Sequence, residues 1–364
     1  PTVTPKPTTT ATLSPTATQP TIAPAATEEA TPVPSPEPLA GADFKTFGGP
    51  DSDLAYGILL TADGGTLISG SANNAQLHGH DNIRGNARLI KTDSEGELLW
   101  ERDYGGEVPG AFFAMIEAVD GEYVLLGEQS SADDGGNTDL YLVKVDEEGN
   151  EIWSHTYGSS SIEIGRDVQQ TADGGYILIG STTSVPETYA SIYLVKTDSQ
   201  GNEVWSRAYS DQWLHLGWGV IQMPDGGYIF TGFSAPDHDA RDILAMRIDA
   251  GGDVEWSRTW DYGGLDEGFG ITLAPDGNVV IVGVASLGSP TSNIVLLNVD
   301  PQGNEIWNKT IGDAGAAAWH ITAMPNGGYI LGGRIGSSAL MLKIDTEGQV
   351  LWQRTFGAEE FVVA

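Results

Sequence analysis

The chain has 364 residues, with 50 acidic side chains against 17 basic ones, a formal net charge of −33, and no cysteine. That charge disfavours nucleic acid and anionic membrane as partners. The missing cysteine excludes disulfide support, and no apolar run reaches the roughly 18 residues that a bilayer-spanning helix needs.

From the N-terminus, residues 1–40 hold 11 Thr and 10 of the 19 Pro, with no Trp, Tyr, Phe or Gly. Such a segment cannot bury enough apolar surface to offset its ordering entropy, so it reads as a disordered linker with the composition of an O-glycosylated stalk. A stalk ahead of a folded domain holds that domain off a surface. The protein is therefore expected to be exported and extracellular or at the cell surface, touching the membrane only through an anchor upstream of Pro1.

Residues 41–364 repeat one unit six times, Asp-x-x-Gly-x-x-x-Trp, ending at Trp100, Trp153, Trp205, Trp256, Trp307 and Trp352. The tryptophans recur after 53, 52, 51, 51 and 45 residues, a period that marks a stacked or closed repeat architecture. Each repeat resolves into four short strands. Strand A ends at a tight turn such as Asp63-Gly64 or Asp173-Gly174, where Asp-Gly between apolar runs predicts a type I′ hairpin. Strand B ends at a glycine with the same offset in all copies (Gly70, Gly127, Gly180, Gly232, Gly283 and Gly333). Strand C is apolar on both faces, as in Leu140-Tyr-Leu-Val143, which suits a strand covered from both sides. The Asp-x-x-Gly turn leads to strand D, where the tryptophan is followed two residues later by a cation (Arg102, Arg207, Arg258, Lys309, Arg354). Together with Lys45 and the strand C cations Lys91, Lys144, Lys196, Arg247 and Lys343, these account for 11 of the 17 basic residues. Positive charge is thus written into the scaffold and expected to pair with acids or stack on rings.

Four antiparallel strands per repeat of this length make the blade of a β-propeller. The repeat resembles that of the tryptophan-docking, quinoprotein-like superfamily of the PQQ type. Their Ala-x-Asp-x-x-x-Gly-x-x-x-Trp turn is one residue longer than the turn here. It also resembles exported bacterial proteins of unknown function with Thr-x-Asp-Gly-Gly-Tyr-Ile-x-x-Gly repeats. The fold class is all-β. Because Phe44–Gly48 matches the end of a D strand and Glu360–Ala364 the start of an A strand, seven blades are favoured, with an incomplete closing blade; six blades is the alternative.

Function is expected on the face carrying the B–C and D–A connections, because these loops vary while the turns of the other face do not. They supply Asp51, Asp53, Glu163, Asp211, Trp213, His215, Asp266, Glu267, Arg84 and Arg241. Early in strand A one position reads Tyr56, Phe113, Arg166, Trp218, Phe269 and Trp319; it is expected to ring the channel mouth, as core or channel filling or otherwise as an aromatic platform for a sugar or peptide. His78, His80 and Asp81, and Asp237, His238 and Asp239, could supply ligands to a transition metal or Ca²⁺. The superfamily resemblance implies a quinone cofactor with calcium ligands, but no such site can be placed in this sequence. The reading is a monomeric binding module for a protein or glycan rather than an enzyme. The alternatives are a metal-assisted hydrolase using the same face and a structural spacer of a surface layer.

Overall fold

The computed structural model describes residues 9–12, 45–49, 52–74, 85–131, 137–184, 190–210, 214–235, 240–312 and 315–356. They contain 25 strands, β1–β25, and no helix. Residue contacts divide the chain into two compact units that part between Gln212 and Trp213, with three four-stranded blades in each.

In the first unit, blade 1 is β2 (Ser52–Leu60), β3 (Thr66–Asn74), β4 (Asn86–Thr92) and β5 (Leu98–Tyr104). Blade 2 is β6 (Gly110–Glu117), β7 (Tyr123–Ser130), β8 (Thr138–Val145) and β9 (Glu151–Tyr157). Blade 3 is β10 (Glu163–Gln170), β11 (Tyr176–Thr182), β12 (Ser191–Thr197) and β13 (Glu203–Ser210). In the second unit, blade 4 is β14 (Leu214–Gln222), β15 (Tyr228–Ala235), β16 (Asp242–Ile248) and β17 (Val254–Trp260). Blade 5 is β18 (Glu267–Leu273), β19 (Val279–Ala285), β20 (Asn293–Val299) and β21 (Glu305–Ile311), and blade 6 is β22 (Ala316–Ala323), β23 (Tyr329–Ile335), β24 (Ser338–Ile344) and β25 (Val350–Phe356). Every blade is an antiparallel meander in chain order. Of residues 1–40, only β1 (Thr9–Thr12) is described; it runs parallel along β13, with Thr9 opposite Arg207.

Six blades, not seven, is therefore the architecture. Lys45–Gly49 form no strand. Lys45 instead ion-pairs with Glu97 in the last turn of blade 1. Glu360–Ala364 lie outside the described residues.

The repeat motif explains its own turn. The aspartate Oδ1 accepts two backbone N–H groups, from Glu95 and Glu97 at Asp93 (2.9 and 2.8 Å) and from Gln302 and Asn304 at Asp300 (2.9 and 2.8 Å), and the other four copies do the same. The glycine takes a left-handed φ, +78° at Gly149 and +79° at Gly303, where a side chain would be strained. Within each unit the tryptophan of one blade then docks on the turn of the next. Any Cβ on Gly149 would stand 2.7 Å from Trp100, and one on Gly303 3.0 Å from Trp256. Trp256 also donates its indole N–H to the Pro301 carbonyl (3.0 Å). The cation two residues on lies over its own tryptophan, Arg102 at 5.6 Å and Arg354 at 5.3 Å, worth about 1 kcal/mol at such sites.

The turn joining the first two strands departs from the type I′ expectation. Asp63 keeps a negative φ; Gly64 alone is left-handed, at +82°. Gly64 N–H donates to Thr61 and Thr61 N–H to Gly65, a type I turn followed by a left-handed glycine. The Asp63 carboxylate is free to accept from Gly65 N–H (2.9 Å) and from the buried Lys91 ammonium (2.8 Å). Lys144 with Asp120, Lys196 with Asp173 and Arg247 with Asp225 repeat this tie between third strand and first turn. The core lies between blades: Leu126, Leu140 and Leu142 of blade 2 meet Val168, Tyr176 and Leu178 of blade 3. In the second unit Val282 and Leu296 of blade 5 meet Ala318 and Leu331 of blade 6. The third strands of blades 2 to 5, buried along almost their whole length, are covered on both faces as their apolar pattern requires.

Candidate ligand-binding surface

In each blade the first strand carries one residue more than its partner. Gly165 pairs with Gly180 and Asp167 with Ile179, which leaves Arg166 outside the ladder. The same shift excludes Tyr56, Phe113, Trp218, Phe269 and Trp319. These are the six positions that the repeat aligns at the start of strand A. A β-bulge of this kind bends the strand and re-aims the side chain it isolates.

Opposite every bulge stands the repeat glycine of the second strand. A Cβ would lie 1.8 Å from the Leu54 carbonyl oxygen at Gly70, 1.9 Å from that of Ile164 at Gly180, and 2.0 Å from that of Ala317 at Gly333. The bulge presses the first strand's backbone onto the second, and only glycine leaves room.

The acids three residues before the bulge hold the loop that enters the blade. Asp53 accepts from Gly49 N–H (2.7 Å), Glu163 from Ser159 N–H (3.1 Å), and Asp266 from Tyr262 N–H, each four residues back. Glu163 also receives the Thr182 hydroxyl (2.6 Å) and Asp266 the Ser286 N–H (2.9 Å). These loop acids brace the scaffold rather than standing free on a recognition face. His215 occupies the equivalent place in blade 4 and is buried, 2 % exposed. Glu267 ion-pairs with Arg241, whose guanidinium lies 4.5 Å over Phe233.

In the first unit the bulge residues meet. The Tyr56 and Phe113 rings stand edge to face, 4.8 Å apart, and the Arg166 guanidinium lies 5.0 Å over Phe113. Glu128 is buried on β7 one residue after the repeat glycine Gly127, with the Thr138 hydroxyl 3.5 Å from its carboxyl. Burial pushes the Glu128 carboxyl up to about 7, against the opposing pull of Arg166 and Thr138. Burial also lowers Arg166, with Glu128 and Tyr56 resisting, and raises Tyr56, with Glu128 adding to the rise. Tyr56 is the open member of the set, 41 % exposed. Sequence reasoning missed Glu128; the signal was an acid after the repeat glycine of the second strand, where the other five copies carry Ser71, Ser181, Phe233, Val284 and Arg334.

In the second unit Trp218 packs on Phe269 at 5.3 Å, Phe269 is buried, and Trp319 lies under the Arg334 guanidinium at 6.0 Å. Trp213 and the metal candidates His78, His80, Asp81, Asp237, His238 and Asp239 lie outside the described residues, as do Asp51, Arg84 and Asp211. Among the described residues no three His, Asp or Glu side chains converge to hold a metal ion. A cavity of about 210 Å³ lies on blade 1, lined by Phe47, Leu54, Ile68 and Arg88. Its one cation is engaged by Asp103 through two contacts of 2.6 and 2.9 Å.

The fold is shared with solved structures at low identity. A protein of unknown function from Dyadobacter fermentans aligns with 12% identity and a TM-score of 0.52, over 85% of this chain and 94% of its own. One from Bacteroides caccae, also of unknown function, aligns with 12% identity and a TM-score of 0.50, over 76% and 92%. The Synechocystis apocarotenoid oxygenase aligns with 14% identity and a TM-score of 0.50, over 82% and 71%. These likenesses show the fold alone. A search of the curated proteins gives no match. Residues 37–214 match the family model described as outer membrane protein assembly factor BamB, of the PQQ type, so over that stretch the superfamily resemblance carried by the repeat is shown.

Proposed function

We propose that this propeller is a binding module, exported and held at the cell surface by residues 1–40, which engages a protein or glycan through its bulge-borne side chains. The observation that carries the reading is the placement of Tyr56, Phe113, Arg166, Trp218, Phe269 and Trp319 at six equivalent bulges, five of them aromatic. Aromatic rings supply large contact area with few rotatable bonds and dominate recognition surfaces. Each is set on a rigid strand rather than a loop. The matched family is described as an assembly factor, which supports an interaction role over catalysis.

The test is a screen of the full chain against arrays of glycans and of extended peptides, alongside the triple variant Tyr56→Ala, Trp218→Ala, Trp319→Ala. Binding that weakens at least tenfold in the folded variant supports the reading. A partner bound equally well by both proteins overturns it.

A further inference from the structure

We infer that the outer edge of blade 3 is a strand-acceptor site, an interaction surface separate from the bulges, which takes an extended, uncharged, threonine- and alanine-rich segment of a partner protein as an added parallel strand. The chain itself supplies the first occupant. β1 runs parallel along β13 with Thr9 opposite Arg207, Thr10 opposite Ala208, Ala11 opposite Tyr209 and Thr12 opposite Ser210. It extends the sheet to five strands in the order β1-β13-β12-β11-β10, while the other five sheets have four strands each among the described residues. Strand addition of this kind draws its affinity from main-chain hydrogen bonds. Arg166, the bulge residue of blade 3, stands on β10 at the far side of the same sheet, so the two surfaces share no strand.

The sequence of β13 sets this edge apart. Where blade 3 has Ala208, the other fourth strands carry Asp103, Thr156, Thr259, Thr310 and Thr355. Ala208 is buried, whereas Asp103, Thr156, Thr259 and Thr310 are exposed. Asp103 puts a charge at that place in blade 1, a device that discourages further pairing at a sheet edge; alanine imposes none. β13 also runs for eight residues, through Ser210, and the other fourth strands for seven. Charge selects the partner class. Residues 7–26 carry no charge, so a segment of that composition meets no repulsion from a chain of net charge −33, as an acidic segment would. Four pairs of parallel ladder are a weak hold. β1 is therefore a tethered cap, which a partner segment of the same chemistry displaces.

Hydrogen exchange of the full chain and of its double variant Thr10→Pro, Ala11→Pro, read with and without a peptide of residues 7–16, tests this. Successive residues of a strand alternate in direction, so one of the two N–H groups lost to proline faces β13, and no blade residue is changed. The expected result is at least tenfold faster exchange, in the double variant, of those amides of residues 207–210 that face β1. The peptide should bind the double variant at least tenfold more tightly than the parent and restore that protection. Equal exchange in both proteins, or a peptide that leaves residues 207–210 unprotected, overturns the acceptor site. So does equal binding of a peptide that itself carries both prolines, since main-chain pairing is then not the cause. Adding Tyr56→Ala, Trp218→Ala and Trp319→Ala to the double variant should leave peptide binding unchanged. Its loss would assign the peptide to the bulges and overturn this site while the binding-module reading stands.

Discussion

A Cβ placed on Gly127 would stand 1.7 Å from the carbonyl oxygen of Ala111. The two are forced together because Phe113 is squeezed out of the ladder between β6 and β7. The repeat glycine and the bulge are therefore one device.

Gly127→Ala should be severely destabilising, by more than about 3 kcal/mol, because the clash is with backbone and cannot be relieved by a rotamer change. Gly332→Ala is the control: no heavy atom lies within 4 Å of its Cβ position, and it should shift stability by less than about 1 kcal/mol. Urea unfolding followed by tryptophan fluorescence compares the two; equal effects would refute the account of the bulge.

The dock of Trp100 on Gly149 should appear as coupling. Trp100→Ala is expected to cost about 2 kcal/mol, less than a fully buried tryptophan would. Gly149→Ala pays for its left-handed φ of +78° and for contact with the ring at 2.7 Å. Removing the ring first relieves the second part, so the double variant should be more stable than the sum of the singles predicts, by about 1 kcal/mol. A double-mutant cycle by chemical denaturation reads this directly.

Acid should loosen the ties between third strands and first turns. Burial works to raise the Asp173 carboxyl, but hydrogen bonds from Thr171, Lys196 and the Gly175 N–H together hold it at about 2. Lys91, with Thr61 and Gly65, holds Asp63 well below the ordinary range. A carboxyl lowered on folding binds fewer protons in the native than in the unfolded state. Its contribution is thus present above about pH 4 and lost as pH falls towards 2. Asp173→Asn should lower the melting temperature at pH 7 and leave it unchanged near pH 2; a loss that persists at pH 2 would show that the tie is not electrostatic.

Glu128 should act in the opposite direction. Its carboxyl rises from 4.5 to about 7 on folding, so the native state binds the extra proton. The contribution is fully present below about pH 4.5 and lost as pH rises through 7, up to about 3 kcal/mol for a buried group. Glu128→Gln should therefore gain stability relative to the parent at pH 8 and not at pH 4.5. Parallel melting curves for the two proteins across that range would overturn the assignment.

Much of this architecture is legible from spacing alone, and the reason is locality. Asp93 bonds N–H groups two and four residues away, and Gly96 needs only its own φ, so the turns are written in adjacent letters. The bulges are not. Tyr56 and its equivalents align in the repeat, yet nothing in a single strand reveals an extra residue relative to a partner that is read elsewhere in the chain. Asp53, Glu163 and Asp266 misled for a related reason. An acid in a variable loop looks available until its backbone donor, four residues earlier, is seen to occupy it. The count of blades failed because Phe44–Gly48 matches a D strand in letters, whereas Lys45–Gly49 form no strand. Glu128 was hidden by its context, a charged residue in a strand whose pattern otherwise reads as core.

Because a bulged residue lies outside the ladder, the sheet's hydrogen bonding does not depend on the side chain it carries. Much of the adhesion between successive blades is supplied elsewhere, by Trp100 on Gly149 and its equivalents. The bulges thus accept different side chains: an arginine sits in one and a tryptophan in another with the surrounding strands unchanged in register. The open socket of Tyr56 could be re-tuned for a new ligand at little cost in folding, whereas Phe269 is buried in a cluster with Trp218 and Trp319 and could not.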